Sequence, residues 1–138
     1  MVEGKKRKIL IIDDNVDFAG AIKAILESGP YAVEMANSTE EADRKLEGEP
    51  PDLIILDILM QKGAEGIILS RKLKKDPNLG KIPIIMLTSV TKQSGFRFIE
   101  DDPRHSNFLP VDEFMEKPVS PADLFSRIEK VLGAKGSG

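Results

Sequence analysis

Three runs of consecutive apolar residues constrain the fold of this chain more than any other feature of its sequence. They occupy residues 9–12, 53–56 and 84–87. None of them alternates apolar with polar residues, and isoleucine is frequent in each. Runs of this kind predict strands that are covered on both faces, as in a parallel sheet. Residues 31–36 form a weaker run, which predicts a more peripheral strand, and residues 114–115 are a shorter fifth candidate.

Segments with helical periodicity separate these runs. The first is indicated by five apolar residues on one helical face: Phe18, Ala19, Ile22, Ile25 and Leu26. Ser38, with a glutamate three residues later, predicts the start of a second helix that runs through Leu46 and stops at Gly48. Residues 67–73 predict a third helix, which an Asp-Pro pair ends.

The last predicted helix has the clearest end signals. Ser120 is predicted as its N-cap, Pro121 as its first residue and Gly133, just past Leu132, as its stop. Strands that alternate with helices in this way predict βαβ units with right-handed crossovers. The expected fold is therefore of the α/β class, a doubly wound parallel sheet.

The length and composition of the chain fit one globular domain. It has 138 residues, no cysteine and a net charge of −3, with charges of both signs mixed along the sequence. A disulfide framework and a thiolate metal site are excluded, and direct nucleic-acid binding is not expected. The basic residues 5–8 precede only four apolar ones, too few for a signal peptide or a membrane span. We expect a cytoplasmic protein with no membrane partner, built from a flexible basic flank (1–7), one folded domain (8–133) and a disordered tail (134–138).

Functional residues are expected at the carboxyl ends of the predicted strands, because open parallel sheets bind their ligands there. Asp13 and Asp14 follow the first strand, and Asp57 follows the third. Thr88 follows the fourth strand and Lys117 the fifth. The predicted topology therefore brings three carboxylates, a hydroxyl and an ammonium group to one edge of the sheet.

Three carboxylates at one edge repel each other. Two unit negative charges ~4 Å apart repel by about 4 kcal/mol at an effective dielectric of roughly 20, so the cluster requires protons or cations. Mg²⁺ suits a pocket that offers one or two carboxylates, because it keeps water in its remaining positions. With Mg²⁺ and Lys117 the formal charges sum to zero, and a neutralised pocket lined by oxygen atoms suits a phosphoryl group.

Each of these residues also has a purely structural interpretation. Residues 13–15 contain three good N-caps for the first helix. Asp57 alone suits a turn, Thr88 alone suits a strand end, and Lys117 before a proline is common in loops. Their joint occurrence at matching ends of consecutive strands favours the functional interpretation.

With these residues in this order and spacing, the chain resembles the response-regulator receiver domain of two-component signalling, over roughly residues 8–132. The resemblance implies a flavodoxin-like, five-stranded sheet in the order 2-1-3-4-5, and it makes residues 8–133 a receiver domain. It rests on a set of five pocket residues: Asp13, Asp14, Asp57, Thr88 and Lys117.

The resemblance also implies which residues bind the phosphoryl group and the metal. Asp57 would be the phosphoacceptor and would take its phosphoryl group from a histidine kinase or a phosphotransfer protein. Asp14, Asp57 and the backbone carbonyl of Leu59 would bind Mg²⁺ (or Mn²⁺) directly, and Asp13 would bind it through a water molecule.

The same resemblance implies roles for Lys117, Thr88, Phe114 and Pro118. Lys117 and Thr88 would stabilise the phosphoryl group. Thr88 and Phe114 would form the switch, because the added charge biases a bistable loop and strand; the alternative for Phe114 is plain core packing. The peptide bond before Pro118 would be cis.

The chain departs from the family pattern in two places. Met60 is followed by Gln61, where a proline is frequent. Residues 90–111 form a longer stretch than usual, and the pattern of the family's fourth helix is hard to see in it. This atypical region is either a longer loop anchored by its three phenylalanines or a dedicated partner surface. His105, which also lies there, is expected to face solvent.

The persistence of the phosphorylated state can also be predicted. Leu59 and Val90 stand two residues after Asp57 and Thr88, at positions that border the path of the attacking water in this family. Both are apolar here, which predicts slow self-dephosphorylation.

Three functions are open from the sequence. The first is a phosphorylation-controlled switch that acts on an effector protein or output domain, with no enzymatic activity beyond its own phosphoryl transfer and self-dephosphorylation. The second is a Mg²⁺-dependent aspartyl phosphohydrolase, although such enzymes place an acid two residues after their nucleophile, and Asn15 takes that place after Asp13. The third is a degenerate receiver that binds partners without phosphorylation.

Overall fold

The computed structural model describes residues 7–57, 65–89, 113–117 and 119–136. Five strands and four α-helices lie in these ranges. In chain order they are β1 (Arg7–Ile12), α1 (Val16–Glu27), β2 (Tyr31–Ala36), α2 (Thr39–Glu47), β3 (Leu53–Asp57), α3 (Glu65–Lys75), β4 (Ile84–Ser89), β5 (Glu113–Lys117) and α4 (Pro121–Gly136), with a short 3-10 turn (Leu79–Lys81) before β4.

The five strands form one parallel sheet in the order β2-β1-β3-β4-β5. This confirms the expected α/β class and the flavodoxin-like order. Strand β1 pairs with β2 on one side and with β3 on the other, so Ile12 is in register with both Ala36 and Leu56. From β1 the chain goes first to β2 on one side and then to β3 on the other, so the order of the strands reverses here. Parallel α/β sheets bind their ligands outside the carboxyl ends of the strands at such a switch point.

Both faces of the sheet are covered, which explains why the apolar runs do not alternate. Leu10 and Ile12 of β1 join a buried cluster with α2 and α3, whereas Ile9 and Ile11 join a second cluster with α1 and α4. All four side chains are at most 2 % exposed. Full burial of a side chain of this size contributes roughly 1.5–3 kcal/mol relative to exposure.

The first three helices match their sequence signals. Helix α1 buries Ala19, Ile22 and Leu26, as its periodicity predicts. Helix α2 begins after Ser38, whose hydroxyl accepts a hydrogen bond from the Glu41 N–H at 3.1 Å. Helix α3 is two residues longer at each end than the predicted 67–73.

The end of α4 differs from the prediction. The helix continues beyond Gly133 to Gly136, so the stop predicted at Gly133 is wrong. A glycine ends a helix when it adopts the left-handed conformation. Gly133 does not adopt it, and a side chain at this position would meet open space. At the other end of the chain, Arg7, which we assigned to the flexible flank, is the first residue of β1.

Several expectations lie outside the described residues. They concern the remainder of the basic flank, the loop with Leu59 and Met60, the atypical stretch 90–111 and the cis bond before Pro118. Within the described part of the chain, no helix combines the length and the apolar character that a membrane span needs.

Candidate functional site

Three aspartates converge at the carboxyl ends of β1 and β3. Asp13, Asp14 and Asp57 each offer one carboxylate oxygen, and these three atoms lie within 4.8 Å of one another. Asp13 is 1 % exposed and Asp57 is 5 % exposed, whereas Asp14 is partly exposed. The cluster therefore has two buried members and one partly exposed member.

The register of the sheet produces this convergence. Strand β1 ends at Ile12, which pairs with Leu56 of β3. The residue that follows each of these partners is an aspartate, Asp13 on one strand and Asp57 on the other. Parallel neighbouring strands are about 4.8 Å apart, so two acids in matching positions must lie close together.

Asp13 is held through its backbone and its side chain. Its N–H donates to the Ala36 carbonyl at 3.0 Å, which extends the contact between β1 and β2 by one residue. Its carboxylate accepts a hydrogen bond from the Asn15 N–H at 2.8 Å. The cap of α1 is Asn15, whose side chain accepts from the Phe18 N–H at 3.0 Å. The capping interpretation of residues 13–15 is therefore correct for Asn15, and both aspartates contribute to the cluster.

Asn37 also contacts Asp13, a contact that the sequence did not predict. Its side-chain amide donates to the Asp13 carbonyl at 3.3 Å. Its own N–H donates to the Glu41 carboxylate at 2.8 Å. In a capping box this glutamate accepts from the N–H of the N-cap residue, here Ser38, but it accepts instead from the residue before it. A polar residue directly after β2 was the available signal, but nothing local indicates its partner.

The donor set fits a hard divalent cation. Oxygen ligands from one or two carboxylates, with space left for water, are typical of Mg²⁺ sites, and Mn²⁺ accepts similar ligands. Two buried carboxylates need compensation by hydrogen bonds or opposite charge. A cation at this cluster would supply that charge, and Asp14 is the one of the three acids that is partly exposed to solvent.

The fourth and fifth strands direct two more predicted residues to the same edge. Asp57 is in register with Leu87, so Thr88 follows one residue further along β4. Lys117 is the last residue of β5, in register with Ser89. The backbone therefore brings Thr88 and Lys117 to the edge that carries the acidic cluster. Their side chains lie outside the described part of the structure.

Phe114 lies two strands away from the acidic cluster. It pairs with Met86 of β4 and is partly buried against the cluster of α2 and α3. Its carbonyl accepts a hydrogen bond from the Arg127 guanidinium of α4 at 3.0 Å, and the same nitrogen lies 3.0 Å from the Glu113 carboxylate. The predicted switch position is thus attached to the last helix.

A separate groove lies between α2 and α3. It has a volume of about 700 Å³, an apolar floor that includes Leu46 and Leu73, and a rim with Asp43 and Lys72. These two rim residues form an ion pair across the groove at 3.0 Å. None of the three clustered aspartates lines it, so the assignment of the functional site rests on the acidic cluster rather than on this concavity.

A doubly wound sheet in this order, with a cluster of three acids at its switch point, defines a class of α/β domains. Comparison with known families makes the assignment specific. Residues 9–129 match the family described as the response regulator receiver domain. The chain belongs to this family, and it is a receiver domain of two-component signalling.

The chain is similar to several curated proteins. It is 35 % identical over 132 residues to the phosphate regulon transcriptional regulatory protein PhoB of Pseudomonas aeruginosa, covering 96 % of this chain and 54 % of that protein. It is 33 % identical over 126 residues to the alkaline phosphatase synthesis transcriptional regulatory protein PhoP of Bacillus subtilis, covering 91 % and 48 %. The chain thus spans about half the length of the curated relatives it matches.

Solved structures show the same fold. A response regulator receiver domain protein from Methanospirillum hungatei superposes with a TM-score of 0.79 at 28 % identity, covering 96 % of this chain and 98 % of that one. The receiver domain of a signal transduction histidine kinase from Syntrophus aciditrophicus gives 0.74 at 34 % identity, covering 93 % and 91 %.

Proposed function

We propose that this domain is a phosphorylation-controlled switch in which Asp57 accepts a phosphoryl group from a histidine kinase or a phosphotransfer protein. One observation carries the proposal: Asp57 ends a central strand, is almost fully buried, and shares a cation-type cluster with Asp13 and Asp14. A turn residue without a functional role needs neither the burial nor the clustering.

The proposed reaction moves a phosphoryl group from a histidine nitrogen to a carboxylate oxygen. The P–N bond of the donor phosphohistidine breaks, and its electron pair returns to the imidazole nitrogen. A P–O bond forms to a carboxylate oxygen of Asp57, which produces an acyl phosphate. The protein's task is to orient this oxygen and to compensate charge as the phosphoryl group moves.

Charge compensation is assigned to a divalent cation and to Lys117. Asp14, Asp57 and the backbone carbonyl of Leu59 would hold the cation directly, and Asp13 would hold it through water. When bound, Mg²⁺ neutralises the carboxylates and the incoming phosphoryl oxygens. Lys117 would then pair with the acyl phosphate, since its strand ends at the same edge of the sheet.

Switching is assigned to Thr88 and Phe114. Phosphorylation raises the negative charge at Asp57 by about one unit and adds acceptor oxygens. Thr88 would donate a hydrogen bond to one of them, and Phe114 would turn further into the core. The attachment of the Phe114 carbonyl to Arg127 supports a route from this position to α4. The output would be altered binding of a partner protein or of an output domain, in the cytoplasm, with no turnover of external substrates.

Incubation with a small phosphodonor and Mg²⁺ tests the proposal. Intact-mass measurement is expected to show a gain of one phosphoryl group, which EDTA prevents and Asp57→Asn abolishes. Asp52→Asn is the matched control, because Asp52 is an exposed acid directly before the same strand. Failure of modification with every donor would favour a domain that binds partners without phosphorylation. Continuous hydrolysis of added phosphoesters would favour a phosphohydrolase.

A further inference from the structure

The carbonyl group of Asp13 lies at the end of the hydrogen-bonding ladder between β1 and β2. The two strands are in register up to Ile12 and Ala36, and the Asp13 N–H adds one more bond by donating to Ala36. A parallel ladder continues when the next residues of the partner strand offer further N–H groups. Beyond Ala36 the chain turns through Asn37 into the Ser38 N-cap of α2, so β2 has no further residue in register.

The side chain of Asn37 occupies this place in the ladder. Its amide nitrogen donates to the Asp13 carbonyl at 3.3 Å. Because a carbonyl only accepts hydrogen bonds, the amide must present its nitrogen rather than its oxygen here. The Asn37 side chain thus acts as the backbone N–H that β2 does not supply.

Asn37 is itself fixed from α2. Its N–H donates to the carboxylate of Glu41, in the first turn of α2, at 2.8 Å. The amide therefore extends from an anchored backbone, and rotation of its side chain is restricted by partners at both ends.

The contact matters because of the peptide unit that it holds. The Asp13 carbonyl belongs to the peptide group that joins Asp13 to Asp14, two of the three acids of the cluster. The Ala36 carbonyl holds one side of Asp13 and the Asn37 amide holds the other. A rotation of this peptide group would turn the Asp14 carboxylate away from its two neighbours.

We infer that Asn37 is a positioning residue for cation binding, which acts by fixing the peptide group between Asp13 and Asp14. The inference rests on the proposed function, because it assumes that the acidic cluster binds Mg²⁺. Hydrogen bonds to metal-binding residues strengthen metal binding by about 10–100-fold when they hold the ligand itself. This one holds the adjoining peptide group, so a smaller effect of about three- to tenfold is expected.

The test compares three single variants of the full chain. Asn37→Ala removes the donor. Asn37→Asp keeps the size but presents only acceptor oxygens to the Asp13 carbonyl, and it adds a negative charge near the cluster. Ser38→Ala removes the cap of α2 without touching Asp13. The dissociation constant for Mg²⁺ is measured by calorimetry, and that for Mn²⁺ by electron paramagnetic resonance. The amide ¹⁵N shift of Asp14 is recorded without metal.

The expected result separates positioning from general stability. Asn37→Ala and Asn37→Asp both raise the dissociation constant about three- to tenfold and move the Asp14 amide shift in the metal-free protein. Ser38→Ala lowers stability toward urea but changes neither quantity. Binding by Asn37→Ala within about twofold of wild type, or tighter binding by Asn37→Asp, would overturn the inference. So would an equal loss in Ser38→Ala. If the wild-type chain binds no divalent cation, the proposed function fails together with this inference. If wild type binds the cation and Asn37→Ala binds it equally well, only this inference fails.

Discussion

Asp13 directly follows β1 and Asp57 ends the adjacent parallel strand β3, and each of these two buried residues places a carboxylate oxygen within 4.8 Å of the other's. The register that pairs Ile12 with Leu56 makes this proximity unavoidable. A fold that buries two acids side by side is stable only when hydrogen bonds or cations compensate their charge. A cation bound at the acidic cluster would therefore stabilise the folded sheet.

The first prediction concerns this coupling. Mg²⁺ at about 100 times its dissociation constant should raise the free energy of unfolding by about 2.7 kcal/mol, since the cation binds the folded state. Asp57→Asn should lose most of this gain, because it removes one ligand. Without metal the variant should be at least as stable as wild type, because one of the repelling charges is gone. Urea unfolding with Mg²⁺ and with EDTA measures both quantities.

Asp52→Asn controls for the loss of a carboxylate as such. Asp52 accepts a hydrogen bond from the Lys8 N–H at the other end of β3, at 2.8 Å. We expect this variant to keep the full response to Mg²⁺. An Asp57→Asn protein that retains the response would show that the cation binds elsewhere.

The second prediction concerns the lifetime of the phosphorylated state. Leu59 and Val90 are apolar, so wild type should lose its phosphoryl group slowly. Leu59→Asn and Val90→Glu should each accelerate the loss about fivefold, which is the effect of one net hydrogen bond to the attacking water. Decay of the phosphorylated mass after removal of the donor gives the rates. Decay no faster than that of wild type in both variants would refute the explanation. Leu59→Val, which keeps the site apolar, is the control.

The third prediction concerns Tyr31, the only tyrosine in a chain without tryptophan. Burial raises its pKa above the usual value of about 10, the nearby Glu129 raises it further, and Arg7 opposes the shift. Because the pKa is raised in the folded state, folding favours the protonated Tyr31 hydroxyl. The contribution of this group to the free energy of unfolding is fully present below pH ~10 and is lost as the pH rises through the folded-state pKa. Phenolate absorbance should therefore titrate above the normal range.

Glu129→Gln tests the electrostatic part of this shift. It should bring the pKa of Tyr31 closer to normal without restoring it fully, because burial remains the largest cause. An equal change on Lys130→Gln, which alters the charge of the adjacent helical residue, would contradict a specific effect of Glu129.

The fourth prediction concerns the attachment of β5 to α4. Arg127 bonds to both the Phe114 carbonyl and the Glu113 carboxylate. Among the described residues, Lys130 pairs with Glu113 alone, at 3.5 Å, from a side chain that is 71 % exposed. Arg127→Ala should therefore lower the free energy of unfolding by about 1–3 kcal/mol. Lys130→Ala removes the same charge and should cost at most about 1 kcal/mol. Urea denaturation of both variants measures the difference, and equal losses would show that the contact to the Phe114 carbonyl contributes little.

Much of the fold could be predicted because a strand that is buried on both faces appears in the sequence as a run of consecutive apolar residues. The strands at residues 9–12, 53–56 and 84–87 and the helical face of α1 were all predicted correctly. The order of the strands came from the resemblance to a family, since apolar runs do not specify their neighbours. The end of α4 was mispredicted, because Gly133 does not adopt the left-handed conformation by which a glycine ends a helix.

The acidic cluster was predictable for a topological reason. Matching ends of parallel strands must meet, so acids at those ends must cluster. Residues 13–15, however, contain three side chains that are equally good caps, and local sequence does not distinguish among them. The length of β1 determines which of the three residues caps α1. The strand ends at Ile12, and Asn15 is the N-cap of the helix.

The sequence by itself determined where the strands lie and which acids follow them, because a strand covered on both faces must be apolar at every position. Only the tertiary structure decided how those acids are held. Asn37 reaches the Asp13 carbonyl because β2 ends at Ala36 and the chain then turns into a capped helix. This contact joins residues 24 positions apart, and it depends on the register of two strands, which no local pattern of residues specifies.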